Sequence, residues 1–178
     1  LKGIDLVFHQ AAFGGFAPEM TKYVDVNTTG TVRLFEIIRA RRFPVKKIVV
    51  ASSQAIYGEG TYTCDEHGIQ YPGLRPMEQL RQREWEVECP QCRKAMRPVP
   101  TQEGKHKDGA TIYALTKASQ EEWSLRLGKS MGIPVVALRY AVTYGPRHSN
   151  YNPYTGVISI FSTRLLSGRP PVVYEDGM

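Results

Sequence analysis

The sequence predicts a doubly wound α/β fold, in which helices cover both faces of a parallel sheet. Two observations support this. Short apolar runs alternate along the chain with longer segments of helical periodicity, and each run before the last ends in a loop of small or polar residues. With 178 residues, 42% of them hydrophobic, the chain is long enough for one globular domain with its own core.

The first part of the chain contains two predicted strands and a helix between them. Residues 4–8, IDLVF, form a short apolar run that leads into the loop HQAAFGG. From about Glu19 to Arg42 apolar side chains recur at helical spacing, and arginines collect at the end, where the helix dipole favours cations. Residues 46–53, KKIVVASS, are expected to form the second buried strand.

Residues 58–108 interrupt this alternation and are predicted to be an insertion. They are rich in glycine, proline and charged residues and contain all three cysteines. Within them only a short helix is expected, from about Met77 to Glu88.

The alternation returns after the insertion. We expect a helix from about Gly109 to Met131, a strand in IPVVALRYAV at 133–142, a helix from about Thr155 to Ser167 and a last strand in PPVVYE at 170–175. Ligands of such sheets bind beyond the carboxyl ends of the strands. The loops HQAAFGG, SSQAIYG and YAVTYGPR are therefore the expected site.

Tyr113 and Lys117 lie four residues apart in YALTK, so both side chains project from one face of the predicted helix. A nearby ammonium favours the phenolate and lowers the pKa of a tyrosine from its usual value near 10. Such a tyrosine can take a proton from a hydroxyl while the carbon beneath it loses hydride to a nicotinamide. Ser52 or Ser53, at the end of a strand, could hold the same oxygen. The structural alternative is a pair on the helix surface.

The insertion contains two short pairs of potential metal ligands, Cys64-x-x-His67 and Cys89-x-x-Cys92. Four such ligands in two close pairs are typical of a structural zinc site, and a closed shell of four leaves no position for substrate. The alternative is that His67 is a solvated loop residue and that the cysteines are reduced and unliganded. An odd number of cysteines does not indicate a disulfide framework.

Five ordered segments carry a resemblance to a known family: DLVFHQAA, VNTTGTVRLFE, VVASSQAIYG, YALTK and LRYAVTYGP. Together they resemble the extended short-chain dehydrogenase/reductase family, the NAD-dependent nucleotide-sugar epimerases and dehydratases. The cysteine insertion with NPYTGVISIF and PPVVYEDG is similar to the branch that epimerises C4 of a dTDP-linked 6-deoxy sugar, dTDP-L-rhamnose. The resemblance implies a Rossmann-like doubly wound parallel sheet, with residues 1–57 and 109–150 as a partial dinucleotide-binding core, 58–108 as an insertion that could bind zinc, and 151–178 as the start of the nucleotide-sugar-binding region.

The resemblance also implies roles for individual residues. Tyr113 corresponds to the catalytic base, Lys117 to the residue that lowers its pKa and binds the nicotinamide ribose, and Ser53 to the group that hydrogen-bonds the reacting hydroxyl. Asn27 could instead cap its helix. Ser52 could instead be a strand-end hydroxyl that only hydrogen-bonds the loop backbone. Further contacts are implied to NAD at Gln10, Ala11, Ala12, Phe13, Asn27, Ser52 and Ala141, and to the nucleotide sugar at Gln54, Thr143 and Asn152.

Two departures from the family pattern narrow the expected reaction. Val142 stands where the family usually has asparagine, so a polar substrate contact is lost or made by Thr143. Gln54 and Ala55 stand where dehydratases carry an Asp-Glu pair that expels a hydroxyl. We therefore expect epimerisation at C4, with loss of water disfavoured. The alternatives are another nucleotide-sugar enzyme of the family (a dehydratase, decarboxylase or reductase) and a non-catalytic dinucleotide-fold protein that contains zinc.

The remaining expectations concern partners and completeness. The resemblance implies a homodimer formed by the helices at 19–42 and 109–131. No apolar run is long enough for a membrane span and the first residues do not resemble a secretory signal, so a cytoplasmic protein without membrane or nucleic-acid partners is expected. No G-x-x-G-x-x-G turn occurs. We therefore expect a fragment that lacks the N-terminal βαβ unit and the rest of the substrate region, and that binds NAD poorly alone.

Overall fold

A computed structural model describes residues 1–15, 17–148, 156–175 and 177. The chain divides into two compact units, the first formed by Leu1–Gly58 and Gly104–Ala141 and the second by Glu59–Glu103 and Val142–Met178. The predicted core consists of residues 1–57 and 109–150. In the structure the first unit ends at Ala141, and the residues from Val142 onward belong to the second unit.

Strands and helices follow one another along both units. The strands in the described residues are β1 (Leu6–His9), β2 (Lys47–Ser53), β3 (Thr61–Cys64), β4 (Gly68–Gln70), β5 (Arg97–Val99) and β6 (Val135–Tyr140). The α-helices are α1 (Met20–Tyr23), α2 (Gly30–Ala40), α3 (Met77–Arg81), α4 (Ile112–Ser130) and α5 (Val157–Leu166). Within the part of the chain that the structure describes, no helix is both long and apolar enough to cross a membrane.

The first unit contains a three-stranded parallel sheet in the order β1-β2-β6. Leu6 lies opposite Lys47, and Ile48 lies opposite Val135. Helices α2 and α4 cover one face, because Phe35 of α2 and Leu127 of α4 pack in the same cluster as the strand residues of that face. The predicted parallel α/β architecture is confirmed. The buried members of this core are Phe35, Ile38, Val45, Ile48 and Val50.

The other face of this sheet is exposed in the described first unit. Phe8 is 63% exposed and Leu138 is 38% exposed, although both are apolar strand residues. Two right-handed crossovers that advance in the same direction, from β1 to β2 and from β2 to β6, place both helices on one side. Helices on both faces would require a change of direction in the strand order.

The predicted helix at 19–42 is present but not uniform. Between α1 and α2 the backbone widens into a π-helical segment, Val24–Thr29, and continues without a break. Short π segments of this kind often occur at functional sites. Asn27 is buried within this wider turn.

The second unit contains a small antiparallel sheet in the order β4-β3-β5, which the sequence did not predict. Helix α3 ends at Arg81, not at Glu88, because Arg83 adopts a left-handed backbone with φ of 62°. The strand predicted at 170–175 is wrong: none of these described residues is in a strand. Pro170 and Pro171 lack the backbone N–H that a central strand requires.

Candidate active site

The first turn of α4 holds Tyr113 against the loop that follows β1. The helix begins after Thr111, whose side chain accepts a hydrogen bond from the N–H of Ala114 at 3.1 Å. Tyr113 is half-buried, and a Cβ placed on Gly14 would lie 3.5 Å from its Cε2 atom. The phenol ring therefore lies beside the loop at the end of β1.

The segment before α4 also packs closely on the backbone that follows β2. A Cβ placed on Gly109 would lie 2.4 Å from the Cβ of Ala114 and 2.8 Å from the carbonyl oxygen of Ala55. Only glycine permits this approach without displacing backbone. The approach brings the start of α4, which carries Tyr113, near the end of β2, which carries Ser53.

Lys117 is buried one helical turn beyond Tyr113, with 2% of its surface exposed. Its Nζ atom donates hydrogen bonds to the carbonyl oxygen of Ala51 in β2 and, at 2.5 Å, to Oε1 of Gln120. Burial lowers the pKa of this ammonium to about 8. An ammonium group has three donors, so one remains for a ligand when these two bonds are made.

Ser53 ends β2 and begins a short 3₁₀ turn, Gln54–Tyr57. Its side-chain oxygen accepts a hydrogen bond from the N–H of Ala55 at 3.2 Å. Because that bond uses only a lone pair, the hydroxyl proton can still be donated to a substrate oxygen. Gln54, the next residue, is exposed.

Ser52 has a buried structural partner. Its hydroxyl donates to Oε2 of Glu121 at 2.6 Å, and Arg139 donates to the same carboxylate from Nη2 at 2.8 Å and from Nε at 3.2 Å. Burial alone would raise the pKa of Glu121, but the hydrogen bonds from Arg139, Ser52 and Lys107 outweigh it and lower this pKa to about 2. The cluster ties β2 and β6 to α4.

Asn27 fixes the loop that follows β1. Its Nδ2 atom donates to the carbonyl oxygen of Phe13 and to Oγ1 of Thr116, both at 3.0 Å, and its Oδ1 atom accepts the N–H of Phe13 at 2.6 Å. Asn27 lies within a helical segment, so the alternative that it caps a helix is wrong. The Phe13 ring packs edge to face with Tyr23 at 4.8 Å between ring centres.

The first unit brings most of the predicted site residues to one edge of its sheet. Because β1, β2 and β6 are parallel, their carboxyl ends lie at the same edge. Thr143 is exposed in the second unit, and Asn152 lies outside the described residues. The residues at or beside this edge are Gln10, Ala11, Ala12, Phe13, Ser53, Gln54, Tyr113, Lys117 and Ala141.

Sequence reasoning did not identify Gln120, which connects Lys117 to the loop after β1. The Nε2 atom of Gln120 lies 3.1 Å from Oγ1 of Thr31 and 3.3 Å from the carbonyl oxygen of Ala11. Gln120 is fully buried and lies three residues after Lys117, a spacing that places both on one helix face. This spacing is the sequence signal that could have identified Gln120.

In the second unit, the structure brings the four predicted metal ligands together. One ligand atom from each of Cys64, His67, Cys89 and Cys92 lies within 4.8 Å of every other. Cys64 and Cys89 are buried in the core of this unit. This group is a candidate metal centre.

Comparison with known proteins agrees with this fold and site. Residues 1–168 match the family described as Male sterility protein, a family of NAD-binding domains. The chain is 32% identical over 181 residues to dTDP-L-rhamnose 4-epimerase of Burkholderia thailandensis, an alignment that covers 97% of this chain and 47% of that protein.

Two solved structures extend the similarity to three dimensions. A UDP-N-acetylglucosamine 4-epimerase from Methanobrevibacter ruminantium M1, in complex with UDP-N-acetylmuramic acid, superposes with a TM-score of 0.69 at 28% identity, covering 99% of this chain and 46% of that one. The UDP-glucose 4-epimerase of Thermus thermophilus, in complex with NAD, gives a TM-score of 0.63 at 28% identity, covering 94% of this chain and 43% of that one.

A parallel sheet with serine, tyrosine and lysine gathered near its carboxyl edge defines an α/β protein of the dinucleotide-binding class. With these matches, the chain belongs to the extended short-chain dehydrogenase/reductase family. It spans about half the length of the curated relatives it matches.

Proposed function

We propose that the full-length protein is an NAD-dependent nucleotide-sugar epimerase that inverts C4 of a dTDP-linked 6-deoxy sugar. The observation that carries this proposal is the buried ammonium of Lys117, held to β2 one helical turn from Tyr113. The similarity to dTDP-L-rhamnose 4-epimerase supports the sugar and the base. The similarity to nucleotide-sugar epimerases of known structure, one of them in complex with NAD, supports the cofactor.

The residues at the sheet edge fit a nicotinamide dinucleotide. Ala11 and Ala12 are small and exposed, so they leave room beside the end of β1. Asn27 holds the neighbouring Phe13 backbone in place. The third donor of the Lys117 ammonium is suited to a ribose hydroxyl. Gln10, Ala11, Ala12, Phe13, Lys117 and Ala141 would contact the cofactor in this proposal.

Tyr113 acts as the base in this proposal and Ser53 as the hydrogen-bond donor to the same sugar oxygen. Tyr113 takes the C4 hydroxyl proton, with the Lys117 ammonium one helical turn away as the neighbouring cation. A nicotinamide bound at these residues would supply the acceptor and donor of the C4 hydride. Tyr113 then gives its proton back to the oxygen of the 4-keto sugar once the sugar presents its other face.

The absence of an acid pair after Ser53 favours epimerisation over loss of water. Gln54 and Ala55 occupy these positions, and neither side chain can protonate a leaving hydroxyl. Thr143 and Asn152 are proposed to contact the nucleotide sugar, by analogy with the family. The proposal also includes a homodimer, which is supported by exposed apolar side chains on the helices at 20–40 and 112–130.

The experiment that tests this function incubates the full-length protein and NAD with dTDP-, UDP- and GDP-linked sugars, and identifies the products by mass spectrometry and NMR. We expect a C4 epimer from the dTDP-linked 6-deoxy sugar, with unchanged mass. Deuterium placed at C4 should remain at C4, because the hydride returns to the carbon it left. Loss of water, loss of carbon dioxide or net consumption of NADH would instead indicate the dehydratase, decarboxylase or reductase alternative. Binding of NAD without any turnover would indicate a non-catalytic protein.

A further inference from the structure

Two turns of the second unit share one backbone form, and each presents a pair of potential metal ligands. The first turn joins β3 to β4, with Cys64 paired opposite Gly68. The residue after the second ligand of each pair has a left-handed backbone: Gly68 has φ of 65° and Arg93 has φ of 62°. For a non-glycine residue this conformation costs on the order of 1 kcal/mol, and it persists where the surroundings require it.

The second turn, residues 89–94, carries Cys89 and Cys92 and is closed by backbone hydrogen bonds. The N–H of Cys89 donates to the carbonyl oxygen of Lys94 at 2.8 Å, and the N–H of Arg93 donates to the carbonyl oxygen of Cys89 at 2.9 Å. Glu88 and Ala95 continue the hairpin as an antiparallel bridge. Both ligand pairs therefore lie at the tips of hairpins.

Three of the six distances between the ligand atoms match those around a tetrahedral zinc ion, and all six are within 4.8 Å. Nδ1 of His67 lies 3.6 Å from Sγ of Cys64 and 3.6 Å from Sγ of Cys89, and Sγ of Cys64 lies 3.7 Å from Sγ of Cys92. Zinc bonds of about 2.3 Å to sulfur and 2.0–2.1 Å to nitrogen place two sulfurs about 3.8 Å apart, and sulfur and nitrogen about 3.6 Å apart. A disulfide would require sulfurs at about 2.0 Å.

Backbone amides point at the sulfur atoms, as they do around metal-bound thiolates. These hydrogen bonds would offset the negative charge of thiolate ligands, because each N–H presents a partial positive charge to the sulfur. The donors are Glu66 and His67 to Cys64, Gln91 and Cys92 to Cys89, and Lys94 to Cys92.

The acidic residues beside the cluster have other partners. Asp65 pairs with Arg97 at 2.7 Å, and Glu66 pairs with Lys94. Three sulfurs and one imidazole nitrogen form a soft donor set, which favours zinc over magnesium or calcium. The pair of Glu66 and Lys94 also connects the two hairpins, although such exposed pairs contribute little to stability.

We propose that residues 59–103 form a zinc-binding module, in which Cys64, His67, Cys89 and Cys92 hold one structural Zn²⁺ between two hairpin tips. The buried hydrophobic cluster around these ligands is small: besides Cys64 and Cys89 it contains Val87 and Met96. So small a core gives little folding energy, and metal binding then supplies a large share of it. Four protein ligands leave no open position for substrate, so the ion stabilises the module and takes no part in the sugar chemistry.

The test measures metal in the full-length protein, purified without added metal, by inductively coupled plasma mass spectrometry. We expect one zinc per chain. His67→Gln should lower the zinc content at least tenfold, whereas His106→Gln, a matched change at an exposed histidine of the first unit, should leave it unchanged. Equal zinc content in the two variants would overturn the proposal.

A second measurement keeps the test independent of whether His67→Gln folds. Wild-type protein whose metal is exchanged for Co²⁺ should show the strong visible bands of a tetrahedral site with thiolate ligands. The thiols of Cys64, Cys89 and Cys92 should react slowly with a thiol reagent until a chelator is added. Wild-type protein that contains no zinc, takes up no tetrahedral cobalt and has these three thiols immediately reactive would contradict the site.

Discussion

Gln120 accepts a hydrogen bond of 2.5 Å from the buried ammonium of Lys117. The amide nitrogen of Gln120 faces Thr31 and the carbonyl oxygen of Ala11, which fixes the amide oxygen toward Lys117. The opposite orientation would place an NH₂ group against an ammonium. Gln120 is thus a positioning residue: it holds the cation that the proposed base requires and joins it to the loop after β1.

The buried ammonium predicts an alkaline limit for the proposed reaction. Because burial lowers the pKa of Lys117 to about 8, its charge is lost as the pH rises through 8, and the proposed reaction loses the cation that lies one helical turn from its base. We expect kcat/KM, which reports on the free enzyme, to fall above about pH 8.

Gln120→Glu tests whether Lys117 causes that limit. A carboxylate beside the ammonium raises the pKa of Lys117, so the fall in kcat/KM should begin at higher pH. Gln120→Leu removes the hydrogen-bond acceptor of Lys117, so the fall should begin at lower pH. If kcat/KM falls at the same pH in both variants, a group other than Lys117 sets the limit.

Glu121 should make the stability of the fold depend on acid pH. Its pKa in the folded chain is about 2, below the ordinary value of 4.5. The resulting stabilisation is fully present above pH 4.5 and is lost as the pH falls toward 2, and it amounts to about 3 kcal/mol. Thermal unfolding measured from pH 7 to pH 3 should therefore show a falling midpoint.

Glu121→Gln should reduce that dependence and destabilise the protein at pH 7 by about 3 kcal/mol or more, since Arg139, Ser52 and Lys107 lose the buried carboxylate that they contact. Glu122→Gln is the matched control. Its side chain is 46% exposed, so we expect a change of less than about 1 kcal/mol. Equal effects of the two substitutions would contradict the buried cluster.

Gly109 sets the position of the first turn of α4. A methyl group at this residue overlaps Ala114 and the carbonyl oxygen of Ala55, so Gly109→Ala should destabilise the fold by about 1–3 kcal/mol and displace Tyr113. Gly104→Ala, where an added Cβ meets nothing within 4 Å, should have little effect. Unfolding midpoints and turnover of the two variants provide the comparison; matching values would refute the close approach.

The proposed homodimer can be tested on the exposed face of α4. Leu115 and Trp123 are 56% and 44% exposed in the chain alone, and a symmetric helix interface would cover them. We expect Trp123→Lys to shift the full-length protein from dimer to monomer in light scattering coupled to size-exclusion chromatography. Leu74→Lys, at an exposed leucine of the second unit, should leave the dimer intact; a dimeric Trp123→Lys protein would argue against this interface.

The elements that follow a strong local pattern could be predicted from the sequence. The apolar runs of β1, β2 and β6, the long helix α4 and the Tyr113/Lys117 spacing all depend on residues close together in the chain. The strands β3, β4 and β5 could not be predicted in this way, because they have only three or four residues each. Their pairing also depends on residues far apart in the chain, since Thr61 pairs with Val99 across nearly the whole insertion. The Ser52–Glu121–Arg139 cluster joins three elements, so no local spacing indicates it.

The prediction of a last strand at 170–175 was wrong for a related reason. PPVVYE has an apolar run of strand length, but strand formation depends on a hydrogen-bonding partner that the local sequence does not specify. The metal ligands were predictable because each pair is local, at a spacing of three residues. Their meeting depends on the two hairpins that bring Cys64 and Cys89 together.

Replacing Tyr113 by phenylalanine tests the central claim most directly, because it removes one oxygen and leaves the ring against Gly14. In the full-length protein we expect Tyr113→Phe to lower kcat for C4 epimerisation at least about 100-fold, while binding of NAD and of the nucleotide sugar stays within a few-fold of wild type. Tyr174→Phe, at a tyrosine that is 82% exposed, should turn over normally. A Tyr113→Phe protein that epimerises its substrate at a rate comparable to wild type would contradict the assignment of the phenol as the base.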